Sequence, residues 1–591
     1  MLPLILLVPL IAAILAIIPV RNHMRIRYIA LGGTLISLAL LPFVSYGLNT
    51  IPWFSIGKYA FSITTIVTPI NLLLLAIVLG IGPLIFYYSS GYMDKPSEQK
   101  RYYIELLGFE AAMLTFAMAG NLIVFFIAWE FLSMTSYLLI GFWYNEKPAK
   151  AAREAITIIM LGDLALIGAI VVILTSLGTL DLTTLIVGAP AHAVVIPNLA
   201  IALLVLAIMT KSAQFPFQEW LADAMEGPTP VSAFLHSTTM VKAGVFAAIA
   251  LSPIFIATGT VWVLFVVGLV TSIIAMFNAT REFQIKRVMA YSTIQELSLM
   301  LVAVGGGAIS AAIYFFFAQS FYKALLFFNS GTLMKATGRE DIREMSGLAS
   351  NKKLYFTTLF GVLALAGFIP FDGFFANASL AGGFANNLAM YAVISLLGMG
   401  TSFYIFRWTT YLSKRPTNSL TTVNLNAPPR PMLYSAMILA PFTLVASFMF
   451  LYIPTLFNNS YNLIPYVFPS RISFVDLAIE TVLTALGACA GYWIYTKGKT
   501  AIKSGALNTL LYSSVIFRWL YDHVAAFAYI LADGVSTFDS YLSGAFDSLG
   551  KGTVLSSSVV KKMAIGRINQ YALVVAMTLV IVFVYVYAVV M

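Results

Sequence analysis

The sequence contains almost no cysteine or histidine, and it lacks the common nucleotide-binding motifs. Its one cysteine, Cys489, cannot by itself supply the several thiolate or imidazole ligands that an iron–sulfur cluster or a zinc site requires. The four histidines are too scattered along the chain to predict a metal site. Neither G-x-G-x-x-G nor a Walker sequence occurs. We therefore expect no cofactor, redox centre or metal in this chain, and no nucleotide hydrolysis.

Charge is also scarce. Asp, Glu, Lys and Arg make up 10% of the 591 residues, whereas hydrophobic residues make up 60% and the mean hydropathy is +0.90. Apolar runs of about 20 residues, long enough to cross a bilayer as a helix, recur along the whole chain. Because the runs are continuous and lipid cannot hydrogen-bond a backbone, they predict helices rather than strands. The expected fold is an all-α polytopic membrane protein.

About sixteen runs have the length of a transmembrane helix. The first, "MLPLILLVPLIAAILAIIPV", lacks the basic start and the small-residue cleavage site of a secretory signal, so we expect it to be retained as a span. The predicted spans are 2–20, 28–48, 65–90, 103–119, 121–143, 153–178, 197–225 with a break, 231–253, 259–280, 286–304, 308–334, 354–380, 386–412, 431–457, 473–496 and 569–591.

The net charge of +10 is explained by membrane orientation better than by nucleic-acid binding. Most lysines and arginines fall on alternate connections between the spans, whereas the opposite connections contain only Lys58 and Arg471. Since basic connections face the inner side of a membrane, both termini are predicted on the outer side. Three lysines fall inside spans instead: Lys211, Lys242 and Lys323.

Residues 501–568 are too many for a simple connection. Apolar side chains such as Trp519, Phe527 and Phe538 recur there at largely helical spacing, opposite acidic residues such as Asp522 and Asp533. This pattern predicts a long amphipathic helix, followed by a C-terminal anchor at 569–591. The helix is compatible with two positions: flat on the lipid headgroups, or as a brace along neighbouring subunits.

The stretch "AIMTKSAQFPF" places Lys211 at the end of an apolar run, with Pro216 five residues later. Proline removes a backbone donor and interrupts a helix, so free carbonyls and water can gather beside the ammonium group. A buried amine has an adjustable proton affinity, because a low dielectric weakens proton binding and a nearby carboxylate strengthens it. Interrupted helices with charged residues at mid-depth mark ion paths in transporters.

Four acidic residues also lie in apolar runs: Glu130, Asp163, Glu296 and Asp372. A charge at the bilayer centre costs about 2.5–3.5 kcal/mol on insertion scales, so these groups need partners or a water path. Asp163 and Glu296 can also be interpreted as structural residues near the headgroups. Glu130 has apolar residues on both sides, which favours a functional role.

Four runs carry a resemblance to a known family: "AWEFLSMTSYLLIGFW", "TKSAQFPFQEWLADAMEGPTPVSAFLHSTTMVKAGVF", "IKRVMAYSTIQELSLM" and "QSFYKALLFFNSGTLMKATG". They resemble the proton-translocating antiporter-like subunits of complex I and of Mrp cation/proton antiporters, over roughly residues 60–410. The long amphipathic segment and the last span are similar to the lateral helix and anchor of subunit L of complex I, NADH-quinone oxidoreductase. The corresponding Mrp subunit would continue into a larger C-terminal region.

The resemblance implies two inverted five-helix repeats, each with a broken helix, and a hydrophilic axis along the membrane centre. By their positions in the matching motifs, Glu130 and Lys211 are expected to form an ion pair whose loosening lowers the proton affinity of the lysine. Protons would then move towards Lys242 and Lys323.

Two further residues match family positions. Asp163 matches the aspartate of a "GD" pair in the sixth span, and His236 matches the histidine of the eighth span. The sequence departs from the family at two places. Phe315 and Gln319 stand where subunit L usually has histidines, and "GFFANA" puts Asn377 where the family usually has a lysine in the twelfth span. Asp372 and Glu296 are the candidates to replace that exit group; the alternative is that the second half-channel is inactive.

The resemblance predicts a proton-translocating subunit of a redox-driven complex that reduces quinone. FMN, iron–sulfur clusters and quinone are then expected in partner subunits, and the electron donor can be NADH, ferredoxin or another reduced cofactor. The alternatives are a non-transporting structural subunit and an Mrp-type Na⁺/H⁺ antiporter subunit. The expected partners are other membrane-arm subunits, lipids and protons, without nucleic acid, in a prokaryotic inner membrane.

The predicted organisation has five parts. N-terminal helices occupy 1–100, the antiporter-like core 101–415, additional spans 416–500, the lateral helix 501–568 and the anchor 569–591.

Overall fold

The computed structural model of the chain describes residues 2–17, 24–57, 59–93, 96–345, 348–413, 428–458, 462–464 and 472–496, together with scattered residues from 523 to 577. Two compact units are present, Met1–Phe517 and Arg518–Met591. In the second unit the scattered described residues are helical. Apart from those positions, the predicted lateral helix at 501–568 and the predicted anchor at 569–591 lie outside the described residues.

The first third of the chain forms helices and one strand pair. In order, these are α1 (Leu2–Ile17), α2 (Met24–Leu40), β1 (Gly47–Ile56), β2 (Tyr59–Val67), α3 (Pro69–Tyr92), α4 (Pro96–Ala117), α5 (Leu122–Ile140), α6 (Glu146–Leu177) and α7 (Leu182–Gly188). Asn121 caps α5 by accepting from the backbone N–H of Val124 at 2.9 Å, and Asp181 caps α7 in the same way.

The middle and last parts are helical. The middle contains α8 (Asn198–Lys211), α9 (Glu219–Asp223), α10 (Thr229–Ser237), α11 (Met240–Ala250), α12 (Ser252–Ala257), α13 (Val261–Arg281), α14 (Ile285–Gly305) and α15 (Ile309–Thr337). The last part contains α16 (Lys352–Ala366), α17 (Asp372–Gly382), α18 (Leu388–Ser413), α19 (Arg430–Leu439), α20 (Phe442–Leu456) and α21 (Phe474–Thr496).

The prediction of an all-α fold is wrong at residues 47–67, where β1 and β2 form an antiparallel hairpin. The segment is rich in β-branched and aromatic residues around a turn at Gly57, where φ is +57°. Strand pairing satisfies the backbone groups that the two strands turn towards each other. The hairpin therefore shortens the second and third predicted spans to α2 and α3.

Eleven helices among the described residues are long and apolar enough to cross a membrane. Four more of the predicted spans coincide with helices that are shorter, interrupted or more charged: 2–20, 103–119, 197–225 and 354–380. The chain is thus a mostly helical integral membrane protein.

Burial distinguishes the inner helices from the outer ones. The apolar windows of α14, α15 and the α10–α11 segment are 94% buried, whereas those of α13 and α21 are 33% buried. On α13, Trp262, Val266 and Val270 recur every fourth residue and are exposed, so one face of this helix points away from the protein. Lipid or a neighbouring subunit covers such a face in a membrane.

Two helix interruptions in the membrane domain bear on the buried charged residues. The chain leaves helical geometry between α8 and α9, around Pro216, and between α16 and α17, around Pro370. Side chains satisfy backbone groups at the first break: Trp220 Nε1 donates to Thr210 O at 3.0 Å, and Thr271 Oγ1 accepts from Phe215 N at 2.9 Å. A fixed break of this kind brings Lys211 to a helix end inside the protein.

The close packing of α13 on α14 gives a test of the fold. A Cβ atom on Gly268 would lie 2.6 Å from the backbone O of Ser298, whereas a Cβ atom on Gly80 of α3 would meet nothing within 4 Å. We expect Gly268→Ala to destabilise the protein by about 1–3 kcal/mol through overpacking. Gly80→Ala, the matched control, should leave stability unchanged or raise it, since alanine favours helix. Thermal unfolding of the purified protein in detergent would measure both; equal midpoints would contradict the helix pairing.

Candidate functional site

Lys211 is the last residue of α8, and its side chain is fully buried. Its Nζ donates to the backbone O of Trp129 at 2.9 Å and to the hydroxyl of Ser133 at 2.6 Å. The ammonium group also lies 4.6 Å from the centre of the Trp129 ring and 3.8 Å from Asp163 Oδ1. The break after α8 therefore delivers the lysine to a polar cluster formed by α5 and α6.

The carboxylate of Asp163 is the centre of this cluster. Its Oδ1 accepts from Trp129 Nε1 at 2.6 Å, and its Oδ2 accepts from the Ser133 hydroxyl at 2.8 Å. Both oxygens thus have neutral donors in addition to Lys211. An ion pair held this way has its remaining lone pairs satisfied, which offsets part of the cost of burying two charges.

The expected ion pair between Glu130 and Lys211 does not form; Asp163 takes that place. The reason is helical geometry: Trp129 and Ser133 are four residues apart and share the face of α5 that meets Lys211, whereas Glu130 lies about 100° further round the helix. Glu130 is half-buried and interacts electrostatically with both members of the pair.

Lys242 lies on α11 and is fully buried. Its Nζ donates to the backbone O of Phe316 at 2.5 Å and to the hydroxyl of Ser320, and it lies 4.5 Å from the centre of the Phe316 ring. Glu296 acts on this lysine electrostatically, but no described carboxylate forms a direct ion pair with it.

A hydrogen bond from a side chain to the backbone joins the surroundings of Lys211 and Lys242. The hydroxyl of Ser212, which follows Lys211, donates to the backbone O of Val241, which precedes Lys242, at 2.8 Å. Gly244 allows this approach, since a Cβ atom there would lie 2.3 Å from Ser212 Oγ. The two lysines consequently extend from neighbouring points of α8 and α11.

The third lysine forms the second buried ion pair. Lys323 Nζ lies 2.9 Å from Glu296 Oε2 and donates to the hydroxyl of Ser292. The Tyr322 hydroxyl donates to Glu296 Oε1 at 3.0 Å. Ser320, the partner of Lys242, lies one turn before Lys323 on α15. The polar groups therefore continue from α6 through α8, α11 and α15 to α14.

His236 and Asp372 lie beside this series without an ion pair to it. Neither ring nitrogen of the buried His236 bonds to a described residue, and its ring packs 4.8 Å from that of Phe327. Asp372 begins α17; its Oδ1 accepts from Gly373 N at 2.9 Å, and its Oδ2 has no described partner. Asp372 and Glu296 interact electrostatically.

Three buried carboxylates were missed by the sequence reasoning: Glu110, Asp476 and Glu480. Glu110 of α4 accepts from the Thr34 hydroxyl at 2.5 Å, and Glu480 of α21 accepts from the Ser395 hydroxyl at 2.6 Å. The signal that could have found them is the one applied to Asp163, a carboxylate inside an apolar run. Among the residues that the structure describes, no group of three or more His, Cys, Asp or Glu is arranged to hold a metal ion.

Two family models match the chain. The one described as "NADH:quinone oxidoreductase/Mrp antiporter, TM" matches residues 119–402, and "NADH-Ubiquinone oxidoreductase (complex I), chain 5 N-terminus" matches residues 53–103. The first range contains the polar series from Glu130 to Lys323.

Curated relatives match part of their length. The Na(+)/H(+) antiporter subunit A1 of Staphylococcus aureus (strain JH9) is 36% identical over 335 residues, which is 52% of this chain and 41% of the relative. The protein of the same description from strain Newman matches equally. This chain thus spans about two fifths of the length of these relatives.

Two solved structures share the fold. A chain of the Mrp complex from Dietzia sp. DQ12-45-1b superposes with a TM-score of 0.73 at 22% identity, covering 99% of this chain and 63% of that chain. A chain of the membrane-bound sulfane sulfur reductase (MBS), an archaeal respiratory membrane complex, gives a TM-score of 0.71 at 20% identity, covering 98% and 99%. The family models together match more than half of the sequence, and the chain belongs to the NADH:quinone oxidoreductase/Mrp antiporter family of membrane subunits.

Proposed function

We propose that this chain is a proton-translocating subunit of a multi-subunit membrane complex. Protons would move along the buried series formed by the Asp163–Lys211 pair, Lys242 and the Glu296–Lys323 pair. The observation that carries the proposal is the spatial order of three fully buried lysines, linked through Ser212–Val241 and through Ser320. A scaffold needs no buried lysines, since each has a cost in a membrane.

The two ion pairs supply the chemistry. The proton affinity of a buried amine rises when a carboxylate is near and falls when the carboxylate moves away or is neutralised. Lys242, which has no direct carboxylate partner among the described residues, stands between two lysines that do. A proton released from one pair can therefore be handed on through Lys242 to the other.

Glu130 has the position of a modulator in this scheme. It is half-buried and acts electrostatically on both Asp163 and Lys211. A change in its charge would alter the balance of the pair without breaking a direct contact. Asp163 would be the direct partner of Lys211. Glu130 would be the group through which an adjoining subunit influences the Asp163–Lys211 pair.

The core assigned to 101–415 contains the whole polar series, and we propose that the segments 1–100 and 416–500 flank it. The segment 501–568 would lie along neighbouring antiporter-like subunits, with 569–591 as its anchor. Most basic connections would face the inside of a prokaryotic membrane, which places both termini outside.

Two energy sources are compatible with such a path. In a complex I-type assembly, electron transfer to quinone in partner subunits that carry FMN and iron–sulfur clusters drives proton movement. The fold that this chain shares with a chain of a respiratory membrane complex, over 99% of that chain's length, is compatible with a redox-driven assembly. The second candidate is Na⁺/H⁺ exchange, supported by the 36% identity to a Na(+)/H(+) antiporter subunit.

The role of Lys211 can be tested in vesicles that contain the complete complex. We expect Lys211→Ala to lower proton translocation about a hundredfold or more, because it removes a proton-transfer group from the path. The matched control is Lys150→Ala, since the Lys150 side chain is 65% exposed and pairs only with neighbouring Glu154. A fluorescent pH probe would report both rates. Full translocation by the Lys211→Ala complex would remove this lysine from the path and favour a structural role.

The partnership of Asp163 with Lys211 makes a separate prediction about stability. Asp163→Asn should lower stability by about 3–5 kcal/mol, because it leaves a buried ammonium group without its carboxylate. Adding Lys211→Met should recover part of this loss, as the uncompensated charge is then absent. Thermal unfolding of the four proteins forms a double-mutant cycle. Strictly additive changes in stability would contradict a direct pair between Asp163 and Lys211. A second cycle, with Glu130→Gln in place of Asp163→Asn, serves as the comparison.

The energy source can be identified from the condition under which the same vesicles take up protons. For a complex I-type assembly we expect acidification of inside-out vesicles on adding an electron donor and quinone, at a rate that does not depend on Na⁺. Acidification that instead requires an imposed Na⁺ gradient, with no response to donor, would identify an antiporter. No proton movement under either condition would support the non-transporting alternative.

A further inference from the structure

Position 377 lacks the lysine that the family usually has there, and the structure shows what surrounds the asparagine in its place. A Cβ atom on Gly367 would lie 2.7 Å from Asn377 Nδ2 and 3.7 Å from Thr484 Oγ1. A Cβ atom on Gly398 would lie 3.8 Å from Asn377 Nδ2 and 3.6 Å from Glu480 Oε2. Asn377 of α17 and Glu480 of α21 therefore flank the same glycine of α18.

Glu480 is buried, with 1% of its surface exposed. Its Oε1 accepts from the Ser395 hydroxyl at 2.6 Å, and no described lysine or arginine forms an ion pair with it. A buried carboxyl group without a cation exchanges a proton more readily than it holds a fixed charge. Its surroundings of hydroxyl and amide groups are suited to that exchange, since both can hydrogen-bond either form of the carboxyl group.

Gln295 extends from the helix that carries Glu296, a member of the second ion pair, towards Gly398. It precedes Glu296 on α14, is fully buried, and its Nε2 donates to the backbone O of Leu397 at 3.1 Å. Leu397 is the residue before Gly398, so the amide of Gln295 ends beside the glycine that Asn377 and Glu480 flank. Its Oε1 accepts from no described residue. A buried acceptor without a protein partner is where internal water binds.

Asp476 connects Glu480 to the membrane surface. It lies one turn before Glu480 on the same helix and is 7% exposed. Its Oδ2 accepts from the backbone N–H and the hydroxyl of Ser473, both at 2.8 Å. Glu480 is six residues from the start of α21, or about 9 Å along the helix. This helix begins after the connection that contains Arg471, which is on the side opposite the basic clusters and is therefore predicted to face outwards.

We propose that Glu480 is the terminal proton-binding group of the second half of the path, taking the place of the absent lysine at position 377. The proposal rests on the proposed function. A proton leaves the Glu296–Lys323 pair, crosses water held beside Gln295 and Asn377, and binds the Glu480 carboxylate. It then passes to the carboxylate of Asp476 and to the outer solution, which returns Glu480 to its anionic form. Each step moves one proton and leaves every other bond intact.

The test uses the complete complex in vesicles, energised by whichever reaction drives the wild-type complex. We expect Glu480→Gln to lower proton translocation about tenfold or more while the complex still assembles, because a glutamine cannot carry the proton. Glu154→Gln, an exposed glutamate on α6, is the matched control and should translocate at the wild-type rate. Adding Asn377→Lys to Glu480→Gln should restore translocation, because a titratable group then returns to the same junction. A purely structural role of Glu480 would not predict that rescue.

The outcomes separate this proposal from the proposed function. If Glu480→Gln translocates at the wild-type rate while Lys211→Ala is inactive, the proton leaves elsewhere and the role of Glu480 is overturned; the path itself stands. Failure of Asn377→Lys to rescue the assembled Glu480→Gln complex overturns it equally. If Lys211→Ala translocates protons at the wild-type rate, the proposed function itself is overturned, and the role of Glu480 falls with it. Should Glu480→Gln not assemble, Asp476→Asn decides: slower translocation supports the exit route, and an unchanged rate overturns it.

Discussion

Burying a lysine in the middle of a membrane protein costs free energy, and the structure around Lys211, Lys242 and Lys323 is organised to offset that cost. Each ammonium group has a serine hydroxyl as an acceptor, and the first two also donate to a backbone carbonyl. Two of the three have a carboxylate within ion-pair distance. Partners of this kind compensate the cost of burying the charge only in part.

The backbone contributes as much as the side chains to the positions of the buried lysines. The break after α8 ends a helix at Lys211 and leaves Ser212 free to contact α11, which brings two separate lysine environments together. The second break, between α16 and α17, lies near Asn377 and Thr484. Irregular backbone is tolerated inside a membrane where it is buried in protein or lines a wet cavity. The inner helices α14 and α15 provide that burial, whereas α13 packs against α14 and α21 packs against α18.

Much of this arrangement could be predicted from the sequence, because charge in an apolar run is rare enough to be informative. That reasoning found the three lysines, Asp163 and Glu296, and Pro216 predicted the first break. It did not find the partner of Lys211, since proximity along a motif does not say which face of α5 points inwards. It missed the β-hairpin because residues 49–64 were assigned to the connection between two spans. Glu480 was missed although it lies in an apolar run, and its neighbours Gly398 and Asn377 could not be predicted because they come from distant parts of the chain.

Proton translocation by this chain requires that the buried ion pairs and Lys242 form one hydrated path rather than three isolated structural contacts. The most direct measurement is a cryo-electron microscopy map of the assembled complex at a resolution that shows ordered water. We expect water molecules that bridge the surroundings of Lys211, Lys242 and Lys323 and continue beside Gln295. Tightly packed side chains with no water between these groups would contradict it.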